Sequence, residues 1–200
     1  WANKLNTRTG QNHIDANNLK ATALESSTVE TKPTIGLDVA AVGGMYANYI
    51  TMVGTEAGVG VNLNGVVAGT QSVSVDANGH LSINGTLQSD TSLVAKANSI
   101  QNTKTIASGG DLALETKELT NTGHITSAKN GHVKVEETLT NNNTMAAGAN
   151  TQGALTGNGS LSIEAGTVRN TDAVIVSGGT TTINSNEVHN TENGRIYGGK

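Results

Sequence analysis

The 200-residue chain contains no cysteine and a single proline, Pro33. The missing cysteines exclude disulfide bonds, thiolate metal sites and cysteine nucleophiles. Aromatic residues are almost absent, with no phenylalanine, one tryptophan and three tyrosines, and hydrophobic residues make up only 35% of the chain. A chain so poor in large apolar side chains cannot fill a wide core, but it can fill a thin core that repeats many times.

Charge and long apolar runs are also scarce. Charged residues make up 14% of the chain and the formal net charge is −4, so we expect no nucleic-acid partner. No apolar run approaches the ~18 residues of a membrane span. The chain starts at Trp1 without a basic and then apolar leader, and we interpret it as a piece of a longer protein.

A short phrase recurs from residue 81 onward: an aliphatic residue, usually Asn two positions later, and a second aliphatic residue six positions after the first. The first aliphatic residue is Leu81, Ile100, Leu119, Leu139, Val168 and Val188 in successive copies. The second is Leu87, Ile106, Ile125, Met145 and Val174, and then Ile196 after a slip. The spacing of 19 or 20 residues is broken once, which indicates an insertion of roughly nine residues around 147–155.

Each copy also contains a third element in which apolar residues alternate with others. These pairs are Val73/Val75, Leu93/Ala95, Leu112/Leu114, Val133/Val135, Leu161/Ile163 and Thr181/Ile183. The alternating stretches are too short for helices, and Gly, Asn and Asp separate them. The pattern therefore predicts an all-β fold, a parallel β-helix (solenoid) with one coil per ~20 residues and strands stacked ~4.8 Å apart.

One asparagine recurs just after the inward-facing aliphatic residue, at Asn102, Asn121, Asn141, Asn170 and Asn190. In stacked parallel coils these amides could hydrogen-bond along the stack as a ladder. Alternatively, asparagine simply tolerates a tight turn with positive φ. Both interpretations belong to the same fold, and Ile83 indicates that the column starts one coil after it.

Two segments resemble a known family. Residues 36–65 read GLDVAAVGGMYANYITMVGTEAGVGVNLNG, and residues 109–128 read GGDLALETKELTNTGHITSA. Both resemble the large exoproteins of two-partner (type Vb) secretion, namely the filamentous haemagglutinin-like adhesins and the contact-dependent growth inhibition effectors. The resemblance implies a right-handed parallel β-helix that forms the shaft of a secreted filament on the bacterial cell surface.

The resemblance also implies a domain organisation and partners. Residues 1–65 would close the secretion domain, with an irregular loop at about 20–35, and residues 66–200 would be filament repeats. The implied partners are an outer-membrane transporter, contacted mainly by residues upstream of this chain, and a receptor on a host or neighbouring cell, contacted by other regions. The shaft would project a distal adhesive or toxin region towards target cells.

Two other functions compete with a shaft. The segment could itself bind glycans or matrix, and aromatic residues often mark such contacts. Tyr46 and Tyr49, however, are predicted on opposite faces of one strand, with one of them capping the core. A β-helical carbohydrate enzyme would need converging carboxylates, and only Glu115 and Glu136 correspond in the repeat. Since neither these acids nor the five histidines converge convincingly, we expect no enzymatic activity, metal or cofactor.

Overall fold

The computed structural model describes residues 2–18, 21–24 and 33–199, and every regular element in those residues is a β-strand. The strands are β1 Ala2–Thr9, β2 Asn12–Ile14, β3 Ala21–Ala23, β4 Ile35–Val39, β5 Gly44–Gly54, β6 Gly60–Leu63, β7 Val66–Ile83, β8 Thr86–Ser89, β9 Ser92–Asn102, β10 Thr105–Ser108, β11 Asp111–Asn121, β12 His124–Ser127, β13 Gly131–Asn141, β14 Thr144–Ala147, β15 Leu161–Thr171, β16 Val174–Ser177, β17 Thr181–Thr191 and β18 Arg195–Tyr197. Within this part of the chain, no helix is long and apolar enough to cross a membrane.

The strands form a solenoid of about eight turns. Long strands stack in the order β7, β9, β11, β13, β15 and β17, and short strands stack in the order β8, β10, β12, β14, β16 and β18. All of these pairings are parallel. Equivalent residues in neighbouring coils are 19 or 20 residues apart along most of the stack, so the prediction of an all-β parallel β-helix with this repeat is confirmed.

The core is a narrow stack of aliphatic side chains. Ile106 pairs with Leu87 on one side and with Ile125 on the other, and Ile125 pairs with Met145. A second column follows the same rule and contains Leu81, Ile100, Leu119, Leu139 and Val168, each no more than 1% exposed. Each side chain therefore packs against its counterparts in the coils before and after it, and this arrangement suits a chain with few aromatics.

Glycine lets the turns stack as closely as the strands. A Cβ atom on Gly110 would collide with the carbonyl oxygen of Thr91 in the preceding coil, and one on Gly123 would collide with that of Lys104. Because those oxygens belong to the backbone, they cannot move aside to make room for a side chain. The glycines are therefore required by the close approach of successive coils.

One core residue was assigned wrongly from the sequence. Ile175, and not Val174, pairs with Met145 and with Ile196, while Val174 is only half-buried and pairs with Thr144. The preceding turn contains one more residue than its equivalents, and Asp172 in that turn has a positive φ of 49°. The extra residue shifts the register, so the inward position passes to the next residue.

Val188 lies in the predicted column, where it pairs with Val168, but 48% of its surface is exposed. Its strand, β17, is the last long strand of the stack in the described residues. Because no further strand covers its other side here, Val188 contributes less buried area than its counterparts. Val188 therefore occupies its predicted position in the column, in the last long strand of the described stack.

The alternating inward pair of β13 was predicted at Val133/Val135, which is two residues too far along the chain. The structure places the pair at Gly131/Val133. Leu112 pairs with Gly131, and Val133 pairs with Leu114. Gly131 occupies a buried inward position, and Leu161 Cδ1 lies only 2.9 Å from where a Cβ atom on Gly131 would be. The leucine of the following coil thus fills the space that Gly131 leaves, which the apolar pattern of β13 alone does not reveal.

The predicted insertion occupies residues 148–160, between β14 and β15. It lengthens the offset between stacked residues to 29, as seen between Asn141 and Asn170. Ala149 of this segment packs with Ala146 and Val176 in a small cluster of its own. The extra residues therefore cover an outer face of the solenoid and leave the stack of coils intact.

The first residues are less regular. β1 pairs in parallel with β5, while β2 and β3 form a separate antiparallel pair. The loop predicted at about 20–35 falls partly on this pair and on β4, and its central residues 25–32 lie outside the described part of the chain. Trp1 also lies outside it.

Replacing Leu119 by alanine should lower the free energy of unfolding by about 2–5 kcal/mol, because a fully buried position loses its contacts with Ile100 and Leu139. Thr120→Ala, on the outward side of the same strand, should change it by less than about 0.5 kcal/mol. Urea unfolding followed by circular dichroism measures both. Equal losses in the two variants would contradict the stacked core.

Candidate functional site: the stacked amide and charge columns

The asparagine column lies inside the solenoid, next to the aliphatic stack. Asn102, Asn121, Asn141 and Asn170 are all fully buried, and each follows an inward-facing aliphatic residue at the end of a long strand. The pairing of these strands places each asparagine directly opposite the next one. A buried amide without partners is costly, so its hydrogen bonds decide whether this arrangement is stable.

Each amide nitrogen donates to the amide oxygen of the next coil. Asn102 Nδ2 donates to Asn121 Oδ1, Asn121 to Asn141, Asn141 to Asn170 and Asn170 to Asn190, each at 2.8 Å. All four donations run in the same direction along the stack. The five side chains therefore form one continuous chain of hydrogen bonds, called the amide column below.

The remaining hydrogen-bonding capacity of these amides is used by the adjacent turns. Asn102 Nδ2 also donates to the carbonyl oxygen of His124, 3.1 Å away, and Asn102 Oδ1 accepts the backbone N–H of Lys104 at 3.3 Å. Asn121 repeats both contacts with Thr144 O and Gly123 N. Each amide thus links two coils and also closes its own turn.

The two interpretations left open by the sequence, ladder and turn, differ in backbone conformation. Among the described residues, the non-glycine residues with positive φ are Asp172 and Glu192, so the column asparagines adopt ordinary φ values. Ile83 pairs with Asn102 at the start of the column. Asn190 is exposed at the other end, where its Nδ2 donates to Gly194 O at 2.9 Å.

A second column, of charged side chains, runs along the outer face of the long strands. Its sign alternates from coil to coil, since strand pairing places in sequence Asp76, Lys96, Glu115, Lys134 and Glu164. All five are exposed. Every charge in this column, called the charge column below, therefore has opposite charges as its neighbours.

The closest contact in the charge column joins Lys96 and Glu115. Lys96 Nζ lies 2.7 Å from Glu115 Oε2, and both side chains are 52% exposed. The hydrogen bond and charge of Lys96 lower the pKa of the Glu115 carboxyl, and Lys134 and His132 add to this effect. The same contact raises the pKa of Lys96, with a small addition from Asp76.

The charge column corrects the pair of acids considered from the sequence. Glu115 lies opposite Lys134, while Glu136 lies at a register shift where β11 and β13 lose their regular pairing. Both acids line a shallow groove together with Lys96 and Lys117. Glu115 was matched with Glu136 because Gly131 was not recognised as an inward residue. With Gly131 inward, Glu115 lies opposite Lys134 and the acids alternate with the lysines.

Both tyrosines of β5 are exposed, in contrast to the prediction that one of them caps the core. Tyr46 is 46% exposed and Tyr49 is 41% exposed, while Ala47 and Ile50 are both buried. Two inward residues three positions apart indicate that the alternation resets at a corner of the coil. Lys4 Nζ lies 6.0 Å from the centre of the Tyr49 ring, within the range of a cation–π contact.

The histidines are dispersed. His80 Nδ1 contacts Ser99 Oγ at 3.0 Å, and His189 Nε2 contacts Glu187 at 3.1 Å. His124 Nδ1 is buried without a hydrogen-bond partner. In the described ranges, no group of three or more His, Asp or Glu side chains is arranged to hold a metal ion.

The chain is similar to parts of several curated proteins. It is 39% identical over 92 residues to Toxin CdiA of Yersinia pestis, 44% of this chain and 3% of that protein. It is 40% identical over 86 residues to tRNA nuclease CdiA-2 of Burkholderia pseudomallei, 42% of this chain and 3% of that protein. It is 33% identical over 116 residues to tRNA nuclease CdiA of Escherichia coli, 58% of this chain and 3% of that protein.

These similarities confirm the resemblance to contact-dependent growth inhibition exoproteins. They also contradict the expectation of no enzymatic activity, because two of these relatives are named tRNA nucleases. The chain spans about 3% of the length of the relatives it matches. No protein-family model matches the chain. No solved structure matches it.

Replacing Asn121 by alanine should lower the free energy of unfolding by about 2–4 kcal/mol, because Asn102 Nδ2 and Asn141 Oδ1 each lose the buried Asn121 amide as a partner. The matched control is Asn190→Ala, at the exposed end of the column, which should cost less than about 1 kcal/mol. Chemical denaturation of both variants measures the difference. Equal costs would show that burial of the amide column contributes nothing.

Lys96→Glu should lower the denaturation midpoint at neutral pH and low salt, because it places a third carboxylate between Asp76 and Glu115. The stabilisation that Glu115 contributes in the native chain is present above the ordinary carboxyl pKa and is lost as pH falls through its lowered pKa. The contribution of Lys96 is lost only as pH rises through its raised pKa.

The control for this charge reversal is Lys104→Glu, an exposed lysine in the turn between β9 and β10, outside the charge column. Denaturation midpoints at low and high salt distinguish the two sites, because salt screens the repulsion between exposed charges. An equal, salt-independent loss in both variants would contradict a role for charge alternation.

Proposed function

We propose that this chain is a stretch of the shaft of a secreted exoprotein of contact-dependent growth inhibition. In this role the stacked coils hold a distal region of the protein away from the bacterial cell surface. The observation that carries the proposal is the continuous stack of parallel coils, with an amide column that runs through five of them and is buried in four. A rod built in this way can hold a distal region at a fixed distance without having a binding site of its own.

The mechanical role follows from how the coils stabilise one another. Each coil buries a few small aliphatic side chains, worth roughly 1–3 kcal/mol apiece, against the coil before it. It then offers its own strand edges and its own asparagine to the coil after it. Stability is therefore additive and local, as in other solenoids, and folding can proceed coil by coil as the chain emerges from a transporter.

Two regions of the chain are proposed to have different roles. Residues 1–65 would close the secretion domain and residues 66–200 would be filament repeats. The irregular spacing before residue 66 supports this division, since Ala2 pairs with Ala47 and Gly44 with Val66, whereas later coils repeat every 19 or 20 residues except at the insertion of residues 148–160. The proposed partners are an outer-membrane transporter, contacted mainly upstream, and a target-cell receptor, contacted elsewhere.

The names of the relatives extend the proposal to the whole protein. Two of them are called tRNA nucleases and a third is called a toxin. We therefore propose that the complete exoprotein delivers a nuclease activity to the target cell. The shaft would contribute to that activity by presenting the active region at a distance from the producing cell.

Leu119→Asp in the full-length exoprotein should stall export or create a protease-sensitive point, because a carboxylate would be buried in the middle of the aliphatic stack. The matched control is Thr120→Asp, which places the same group on the outward side of the strand and should be exported normally. Immunoblotting of surface-exposed protein with and without protease measures both. Normal export and protease resistance of Leu119→Asp would contradict the proposal.

The same experiment includes an in-frame deletion of residues 93–130, which removes two coils. It places Asp76 beside Lys134 and Ile83 opposite Asn141, so charge alternation and the start of the amide column are both preserved. The shaft should shorten by roughly 10 Å, with export and target-cell inhibition retained. Loss of inhibition by a normally exported deletion variant would indicate that these coils bind something themselves.

A further inference from the structure

The chain contains six Asn-Gly pairs, at Asn64, Asn78, Asn84, Asn130, Asn158 and Asn193. Asparagine followed by glycine is the dipeptide most prone to deamidation, since the glycine leaves the side-chain carbonyl open to attack by the next backbone nitrogen. We propose that Asn158 is the site at which this chain deamidates spontaneously. The proposal rests on how differently the fold treats these six pairs.

Five of the six asparagines have side chains held by hydrogen bonds to neighbouring residues. Asn64 Nδ2 donates to Asp38 at 3.1 Å and Asn78 Nδ2 to Thr55 O at 3.3 Å. The same holds for the remaining three, with Asn84 donating to Asn64, Asn130 to Asp111 and Asn193 to Asp172. Rotation of these amides towards the following nitrogen requires breaking those bonds first.

In at least four of these five pairs, the backbone nitrogen that would attack already donates a hydrogen bond. Gly65 N donates to Val39 O at 3.0 Å, and Gly85 N donates to Leu63 O at 2.9 Å. Gly131 N donates to Ser160 O at 2.9 Å, and Gly194 N donates to Thr191 O at 3.0 Å. A backbone N–H that already donates a hydrogen bond to a neighbouring coil or within a tight turn must break that bond before its nitrogen can attack.

Asn158 differs on both counts. Its side chain is exposed and makes none of the hydrogen bonds found in the described structure, and Gly159 N donates to no carbonyl there. The pair lies in the insertion at 148–160, outside any strand. Asn158 is therefore the Asn-Gly pair in which neither the side-chain amide nor the attacking N–H donates a hydrogen bond in the described structure, although Gly159 itself is buried between the neighbouring coils.

The chemistry needs only water. Gly159 N attacks Cγ of Asn158, a C–N bond forms, the proton leaves the backbone nitrogen, and the side-chain nitrogen departs as ammonia. Water then opens the resulting succinimide at either carbonyl. The products are an aspartyl or an isoaspartyl residue, and each carries one new negative charge.

The location gives the reaction a structural consequence. Gly179 N donates to Gly159 O at 2.9 Å, and a Cβ atom on Gly179 would lie 2.5 Å from Asn158 O. The next coil therefore packs directly on the backbone at Asn158. An isoaspartyl linkage inserts one extra carbon into that backbone, so the turn at Gly178–Gly179 should open where the two coils meet.

The test is incubation of the 200-residue chain at mildly alkaline pH, with samples digested and the peptides separated by mass spectrometry. Deamidation at Asn158 should be at least about tenfold faster than at each of the other five pairs, which must first break one or two hydrogen bonds. Asn158→Gln should abolish the dominant product, because the longer side chain cyclises poorly. A faster reaction at any other pair would overturn the proposal.

The same incubation in concentrated denaturant is the control. There the hydrogen bonds are gone and all six asparagines precede glycine, so their rates should converge. If Asn158 remained about tenfold faster in denaturant, its reactivity would come from local sequence, and the protective role assigned to the fold would be wrong. Neither outcome depends on the proposed shaft function.

Discussion

Parallel backbone pairing between successive coils is the constraint on which the rest of the structure depends. Because the pairing is in register, every side chain has its counterpart in the coil before and the coil after as its closest neighbours. A residue type is acceptable at a given position only if it can sit next to its equivalents along the stack. The composition of the chain, rich in small aliphatic, amide and hydroxyl residues and poor in charge, is what this rule favours.

Three kinds of side chain meet that rule in different ways. Aliphatic residues such as Ile106 and Ile125 pack on equivalent residues of the next coil, because dispersion forces attract any two apolar groups. Asparagine stacks on asparagine since one amide carries both a donor and an acceptor. A charge cannot stack on its own kind, and the outer face resolves this by alternation, with Lys96 between Asp76 and Glu115. Alternation also disfavours misfolded pairing between a coil and the next but one, because like charges would then lie side by side.

Much of this could be predicted from the sequence, because the period is visible in residue types. The coil length, the aliphatic columns up to Met145 and the insertion follow from spacing alone. What escaped prediction depends on backbone geometry. Val174 was misplaced because Asp172 adds a residue in a left-handed conformation, and the tyrosines were misplaced because alternation resets at a corner. The charge column was missed because Gly131 occupies an inward position that carries no apolar side chain.

The one-way donation of the buried amides has a consequence for the rod as a whole. All four Nδ2 atoms point towards higher residue numbers, so the dipoles of the side-chain amides add along the axis, as peptide dipoles add in an α-helix. Within a low-dielectric interior, each such bond polarises the next. The two ends of the column are therefore electrically unlike, with acceptor oxygen towards Ile83 and donor hydrogen towards Gly194.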